Sequence, residues 1–338
     1  MSIVIVVITA FFILLLMPFL IAGVSYGKGE QIRLNIRSDN ARDPRFFAKS
    51  FRSKMEQALE NYDGSGQILL SRKNKLSTPP FTADTVEGIV LLEQPFTDTQ
   101  PRLFLSEVYC RNAAVFHESS SARSICGLDS VRLGDHTEIV RWVDGEKELL
   151  CGNDCSLGVS ASSGGFLRLG LACRFLRLYA PVICVGADTK PSFIAPHGQG
   201  AESGVTRTNK IEAGAAIGTD VISNGKLRIG ENAVILGSVK ANGDIRVCAG
   251  ACILGNLVSD GTIVLEENVF AGGNVFSQYS VYVGRNCQIG RAYQIKSLIA
   301  QDNIYLCDSA RIFGYVGCER GGETVSYDDY VRLSGACY

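Results

Sequence analysis

The 338-residue sequence predicts an all-β fold, a triangular parallel β-helix of about 18 residues per coil, preceded by a transmembrane helix and a short amphipathic helix. Three observations predict the β-helix. From 222 to 316 the sequence nearly repeats every eighteen residues, as in ISNGKLRIGENAVILGSV (222–239) and KANGDIRVCAGACILGNL (240–257). Apolar or small residues recur at row positions 2, 6, 8, 12, 14 and 18. Glycine, alone or in Asn-Gly and Asp-Gly pairs, recurs between them.

In the first row the inward positions are Ser223, Leu227, Ile229, Ala233, Ile235 and Val239; in the second, Ala241, Ile245, Val247, Ala251, Ile253 and Leu257. Residues two apart on a strand share a face, so each pair is a short strand and each four-residue step a corner. Three strands and three corners make one triangular coil, and a 3.6-residue helical period does not fit these columns. Asn224-Gly225, Asn242-Gly243 and Asp260-Gly261 at one corner, and Gly237, Gly255, Gly273 and Gly314 at another, are expected to supply positive φ. One coil buries almost nothing, so the columns become a core only when coils stack at about 4.8 Å.

The chain is read as an anchor (1–26), a juxtamembrane segment (27–87) with an amphipathic helix at 43–60, and a first β-helix block (88–186). A loop insertion (187–209), a second block (210–316) and a tail or cap (317–338) follow. Residues 3–24 carry no charge, and as a helix they would extend about 33 Å, enough to cross a bilayer core. Phe11, Phe12, Leu14, Leu15, Leu16, Phe19 and Leu20 would meet lipid. A cleaved signal peptide is the competing reading, but no Lys or Arg precedes the run. Lys28, Arg33, Arg37, Arg42 and Arg45 follow it, which by the positive-inside rule leaves the bulk of the chain cytoplasmic after a single pass.

Asp43-Pro44 opens the amphipathic helix, with Phe47, Phe51, Met55 and Leu59 on one stripe and basic residues on its flanks. Such a helix either lies on an anionic leaflet or packs against the rod, and the second fits better. A region from 88 to 125 has no clear phase; from Cys126 the eighteen-residue register is clear. The economical reading is one continuous β-helix with 187–209 as a surface loop, the other being two stacked blocks.

A formal net charge of −1 carries no polyanion signature, so nucleic acid is not an expected partner. Cys151, Cys155 and Cys173 fall on inward columns and read as small buried hydrophobes, Cys155 and Cys173 on neighbouring strands. Cys252 is outward by phase, Cys248 lies on a corner, and Cys248, Cys307, Cys318 and Cys337 are expected to be exposed. Neither Cys-x3-Cys stretch holds a four-ligand cluster, so no metal or other cofactor is expected.

The triangular coils with N-G and D-G corners, the segment DPRFFAKSFRSKMEQAL and rows such as SVRLGDHTEIVRWV resemble the bactofilins, a polymer-forming cytoskeletal family, in its larger membrane-anchored form. The resemblance implies a right-handed β-helix at the bacterial inner membrane that self-associates end to end and recruits other proteins; by the residues themselves no catalytic set is expected. The rival is a hexapeptide-repeat acyltransferase, to which IGENA (229–233) and VGRNC (283–287) are similar. Such enzymes need a histidine base. Of His117, His136 and His197, His136 reads as a corner residue, and only His197, in FIAPHGQG, is placed like a catalytic loop residue.

Overall fold

Each inward pair forms one short strand, and successive coils place like residues on top of one another. Leu227–Ile229, Ile245–Val247, Ile263–Leu265 and Val281–Val283 pair in parallel, eighteen residues apart and in register. The computed structural model describes residues 43–60, 76–186 and 202–335, in which 31 strands form one sheet wound into about 13 turns. Leu227, Ile229, Ala233, Ile235, Ile245, Val247, Ala251 and Ile253 are all buried in a single core that runs the length of the rod. Residues 3–24, with Phe11, Phe12, Leu14, Leu15, Leu16, Phe19 and Leu20, lie outside the described residues, as does His197. Among the described residues no helix is long and apolar enough to cross a membrane.

The rod is not one continuous winding. The last strand of the first block, Arg174–Val185, pairs antiparallel with the last long strand of the chain, Arg311–Val325. The two blocks therefore stack with their C-terminal turns in contact and wind toward each other. The segment 187–201, outside the described residues, joins the junction to the outer end of the second block. From Gly186 to Glu202 at no more than about 3.5 Å per residue there is chain enough for roughly 55 Å. Seven strand spacings need only about 34 Å.

The structure extends three of the boundaries read from sequence. Coil pairing starts at Leu76 rather than 88, since Leu76–Ser77 pairs with Ile89–Leu92. Turns of the second block start at Val205, inside the expected loop. The tail continues the coil to Val325 and ends in the helix Tyr327–Gly335, whose first turn is capped by the Ser326 hydroxyl accepting from the Asp329 N–H at 3.2 Å. The unclear phase between 88 and 125 has a local cause: Val108 stacks on Ile125 and Ala114 on Val131, so this turn is one residue short. Five extra residues make the opposite change, Val275 stacking on Leu298, without disturbing the ladder.

Corner chemistry also differs from expectation. Positive φ falls at row position 11, at Asn232, Gly250, Asn268 and Asn286 in the second block and at His136, Asp154 and Ala172 in the first. The Asn-Gly corners and Gly237, Gly255 and Gly273 have no positive φ; of the glycines expected to have it, only Gly314 does. Glycine stands in the others because stacked corners approach closely: a Cβ on Gly255 would sit 2.5 Å from the Gly237 carbonyl. Beside the Asp-Gly corner, inward Ser277 donates to the Gly261 carbonyl at 2.7 Å, satisfying a polar group that the core would otherwise strand.

Candidate assembly surfaces

A β-helix exposes two kinds of surface able to take a partner: the coil ends, with unpaired main-chain groups, and the flat outer faces. The junction shows what a coil end of this chain accepts. All three sides of the last turn of the first block pair with the last turn of the second: Arg174 and Phe175 with Glu323 and Gly322, Leu178 with Val316, Ile183 with Ile312. The inward column thereby continues from Val143 through Ala161, Leu178 and Val316 to Leu298. Thr324 locks one side, accepting from the Cys173 N–H at 2.8 Å and donating to the Gly170 carbonyl at 2.7 Å. Two open grooves of about 330 and 260 Å3 flank this seam, one lined by Arg174, Tyr305 and Arg320, the other by Arg177, Phe276 and Tyr315.

The outer end of the first block is plugged. Phe81, in the loop after the first strand, packs edge-on against Phe96 and Phe104 at ring distances of 6.0 and 6.1 Å, and Phe104 against Phe116 at 5.7 Å. Arg102 lies over the Phe81 ring, donates to the Ala83 carbonyl and pairs with buried Asp98 at 2.9 Å, which fixes the loop across the lumen. Pro79 and Pro80 in that loop have no N–H to offer an incoming strand.

The two outer ends are alike in their strands, since Leu76–Ser77, Thr85–Val86 and Phe96–Thr97 in the first block, like the opening strands of the second, each pair with one strand only among the described residues, and differ in how the lumen is covered. Val205–Arg207, Lys210–Ile211 and Ala216–Ile217 each pair with one strand only, on the side of the next turn. The Arg228 N–H donates to the Asn209 carbonyl and the Gly230 N–H to the Ile211 carbonyl, so the main-chain groups of Lys210 between them face outward, where the Thr208 hydroxyl accepts from the Lys210 N–H at 3.2 Å and donates to the Lys210 carbonyl at 2.7 Å. Val205 is half exposed, and the inward Thr206, Ala215 and Ile217 are only partly covered, whereas Val221 and Ile235 one turn deeper are fully buried.

Helix Phe46–Glu60 lies on one outer face of the first block, burying Ala48 and Met55 over Ile89, Leu91, Tyr109 and Cys126. Phe51 meets Tyr109 and Trp142 edge-on, while Phe47, assigned to the stripe by spacing, is exposed. The helix is latched by Arg45, which makes two 2.8 Å bonds to the buried Asp144 carboxylate and a third to Glu146; Arg52 also pairs with Glu146. Asp144 accepts a further bond from Ser162 at 2.6 Å. Arg45 and Arg52 hold the Glu146 carboxyl down at about 2, and burial pushes the Cys126 thiol under the helix up to about 12.

The cysteines and histidines fall as follows. Cys155 and Cys173 are neighbours in the core, as the columns require. Cys248, Cys252, Cys307 and Cys318, however, are buried, so the exposure expected of Cys248, Cys307 and Cys318 is not found. For Cys252, Cys307 and Cys318 the covers come from elsewhere in the chain. Arg291, on the expanded turn, reaches over Phe270, the ladder neighbour of Cys252; the C-terminal helix covers Cys307; and Cys318 sits in the junction against the Leu176 carbonyl. Cys337 is outside the described residues. His136 is a left-handed corner residue bonded to Asp154 at 3.0 Å on the surface, and His117 bonds the Glu118 carbonyl. Among the described residues no cluster of His, Cys, Asp or Glu is arranged to hold a metal ion. Neither a family model, nor a curated protein, nor a solved structure matches the chain.

Proposed function

We propose that the chain is a membrane-tethered, self-associating β-helical scaffold that positions other proteins at the cytoplasmic face of the bacterial inner membrane. The observation that carries the reading is the first turn of the second block, where Val205–Arg207, Lys210–Ile211 and Ala216–Ile217 have a ladder partner on one side only among the described residues and the core is incompletely covered. Two further features support it. The uncharged run 3–24 followed by Lys28, Arg33 and Arg37 suits an anchor with the rod in the cytoplasm, and the resemblance to bactofilins is to a scaffold family. A rod of about 13 turns, roughly 58 Å long, offers three long faces for recruitment.

The test is to express the full chain and fractionate membranes. The chain should resist extraction by high salt and carbonate, dissolve in detergent and cross-link to itself in intact membranes. Release by salt alone, or strictly single chains at every concentration, would remove the anchor or the self-association respectively.

A further inference from the structure

We propose that the chain associates as a closed pair and not as a filament, through the first turn of the second block, with a second copy as the occupant. The inference rests on the self-associating reading above and specifies its interface and its stoichiometry. A rod of two blocks has four coil ends. Two are consumed inside the chain, where Arg174–Val185 zips against Arg311–Val325. A third is blocked by Phe81 and the Arg102–Asp98 pair. Among the described residues, the turn formed by 205–217 is the one coil end that has strands without a second ladder partner on all three sides, Lys210 turning its main chain to the Thr208 hydroxyl, together with a partly bare lumen.

The occupant follows from the shape of what must be matched. An extended peptide would cover one side and leave the lumen bare, whereas another coil end of the same cross-section covers all three sides and Thr206, Ala215 and Ile217 at once. The internal junction shows such a match within this chain, with antiparallel strands on every side. Two copies of one end brought together by a twofold axis across the rod meet antiparallel in the same way, one edge pairing with itself and the other two exchanging. An isologous contact of this kind uses up the open end of both chains, and the plugged ends then face outward. Growth stops at two.

The experiment is sedimentation equilibrium of the detergent-solubilised full chain across a hundredfold range of concentration, with Ile217→Lys and Ile217→Met beside the parent. Lysine at the rim reaches water in a single chain but meets its own copy across the twofold. Expected is a monomer–dimer equilibrium with no larger species, retained by Ile217→Met and weakened at least tenfold by Ile217→Lys, with the thermal melts of all three within about two degrees. Species larger than the dimer, or a dimer indifferent to Ile217→Lys, overturn the closed pair while leaving a self-associating scaffold. A chain that is monomeric until 187–201 is replaced by a glycine-serine linker of equal length assigns the open end to that segment and overturns the proposal. A chain monomeric with and without that replacement overturns self-association itself.

Discussion

The two blocks share a period and an inward column, yet their outsides differ. In the first, a helix covers one outer face, a buried ion pair latches it and aromatic rings stop the lumen. In the second, the C-terminal helix lies along the final turns, with Tyr330 donating to the Leu265 carbonyl at 2.7 Å, and among the described residues nothing stacks on the first turn. The interior determines that the chain winds; what is laid over the faces and ends determines where winding stops and where another molecule is received.

The equivalence of the two interiors is broken most severely by a buried charge. Val247→Asp in the second block and Val143→Asp in the first, both at fully buried positions, should each cost on the order of 5 kcal/mol or more. Circular dichroism melts would show both; loss confined to one block would mean that the cores are not alike. The latch on the first block comes next. Arg45→Ala leaves the Asp144 carboxylate buried and unpaired, which should cost about 3–5 kcal/mol. Because Trp142 is the only tryptophan and packs on Phe51, its emission should shift to the red as the helix lifts.

At the seam between the blocks, Gly322→Ala would drive a Cβ into the Phe175 ring, an overpacking cost of about 1–3 kcal/mol seen in the same melts. Smaller still, Asn268→Ala places a residue with a Cβ and no local hydrogen bond at φ +56° and should cost about 1 kcal/mol, whereas Asn268→Gly should be nearly silent.

The latch also titrates. The Glu146 carboxyl is depressed in the fold to about 2, so its stabilising contribution is complete above the ordinary carboxylate value near 4.5. That contribution is lost as pH falls from there through about 2. Trp142 emission should hold steady down to about pH 5 and shift below it; a shift centred near neutrality would place control elsewhere.

The inward columns were legible because a strand repeats its facing every two residues and the coil every eighteen. The direction of winding was not, since stacked columns read the same whether the second block continues the first or returns to meet it. The antiparallel pairing of Arg174–Val185 with Arg311–Val325 distinguishes the two. Burial of Cys252 and Cys307 was illegible for a related reason: phase places a side chain relative to its own turn, while Arg291 and Tyr330 arrive from elsewhere. The left-handed corner was present in the sequence as Asn, Gly, Asp and His at row position 11, residues that tolerate positive φ. The Asn-Gly corners drew the assignment away because glycine serves two needs, positive φ and close stacking, and there it serves the second.

The expanded turn, where Tyr293 stands fully clear of the surface and Val275 still lies in register with Leu298, separates chain length from axial length. Residues added at such a corner thicken the outline without moving any layer above or below. A binding epitope grafted between Arg291 and Ile295 would therefore be displayed at a fixed height along the axis, and the set of molecules held there would be free to diversify while the spacing between them stays constant.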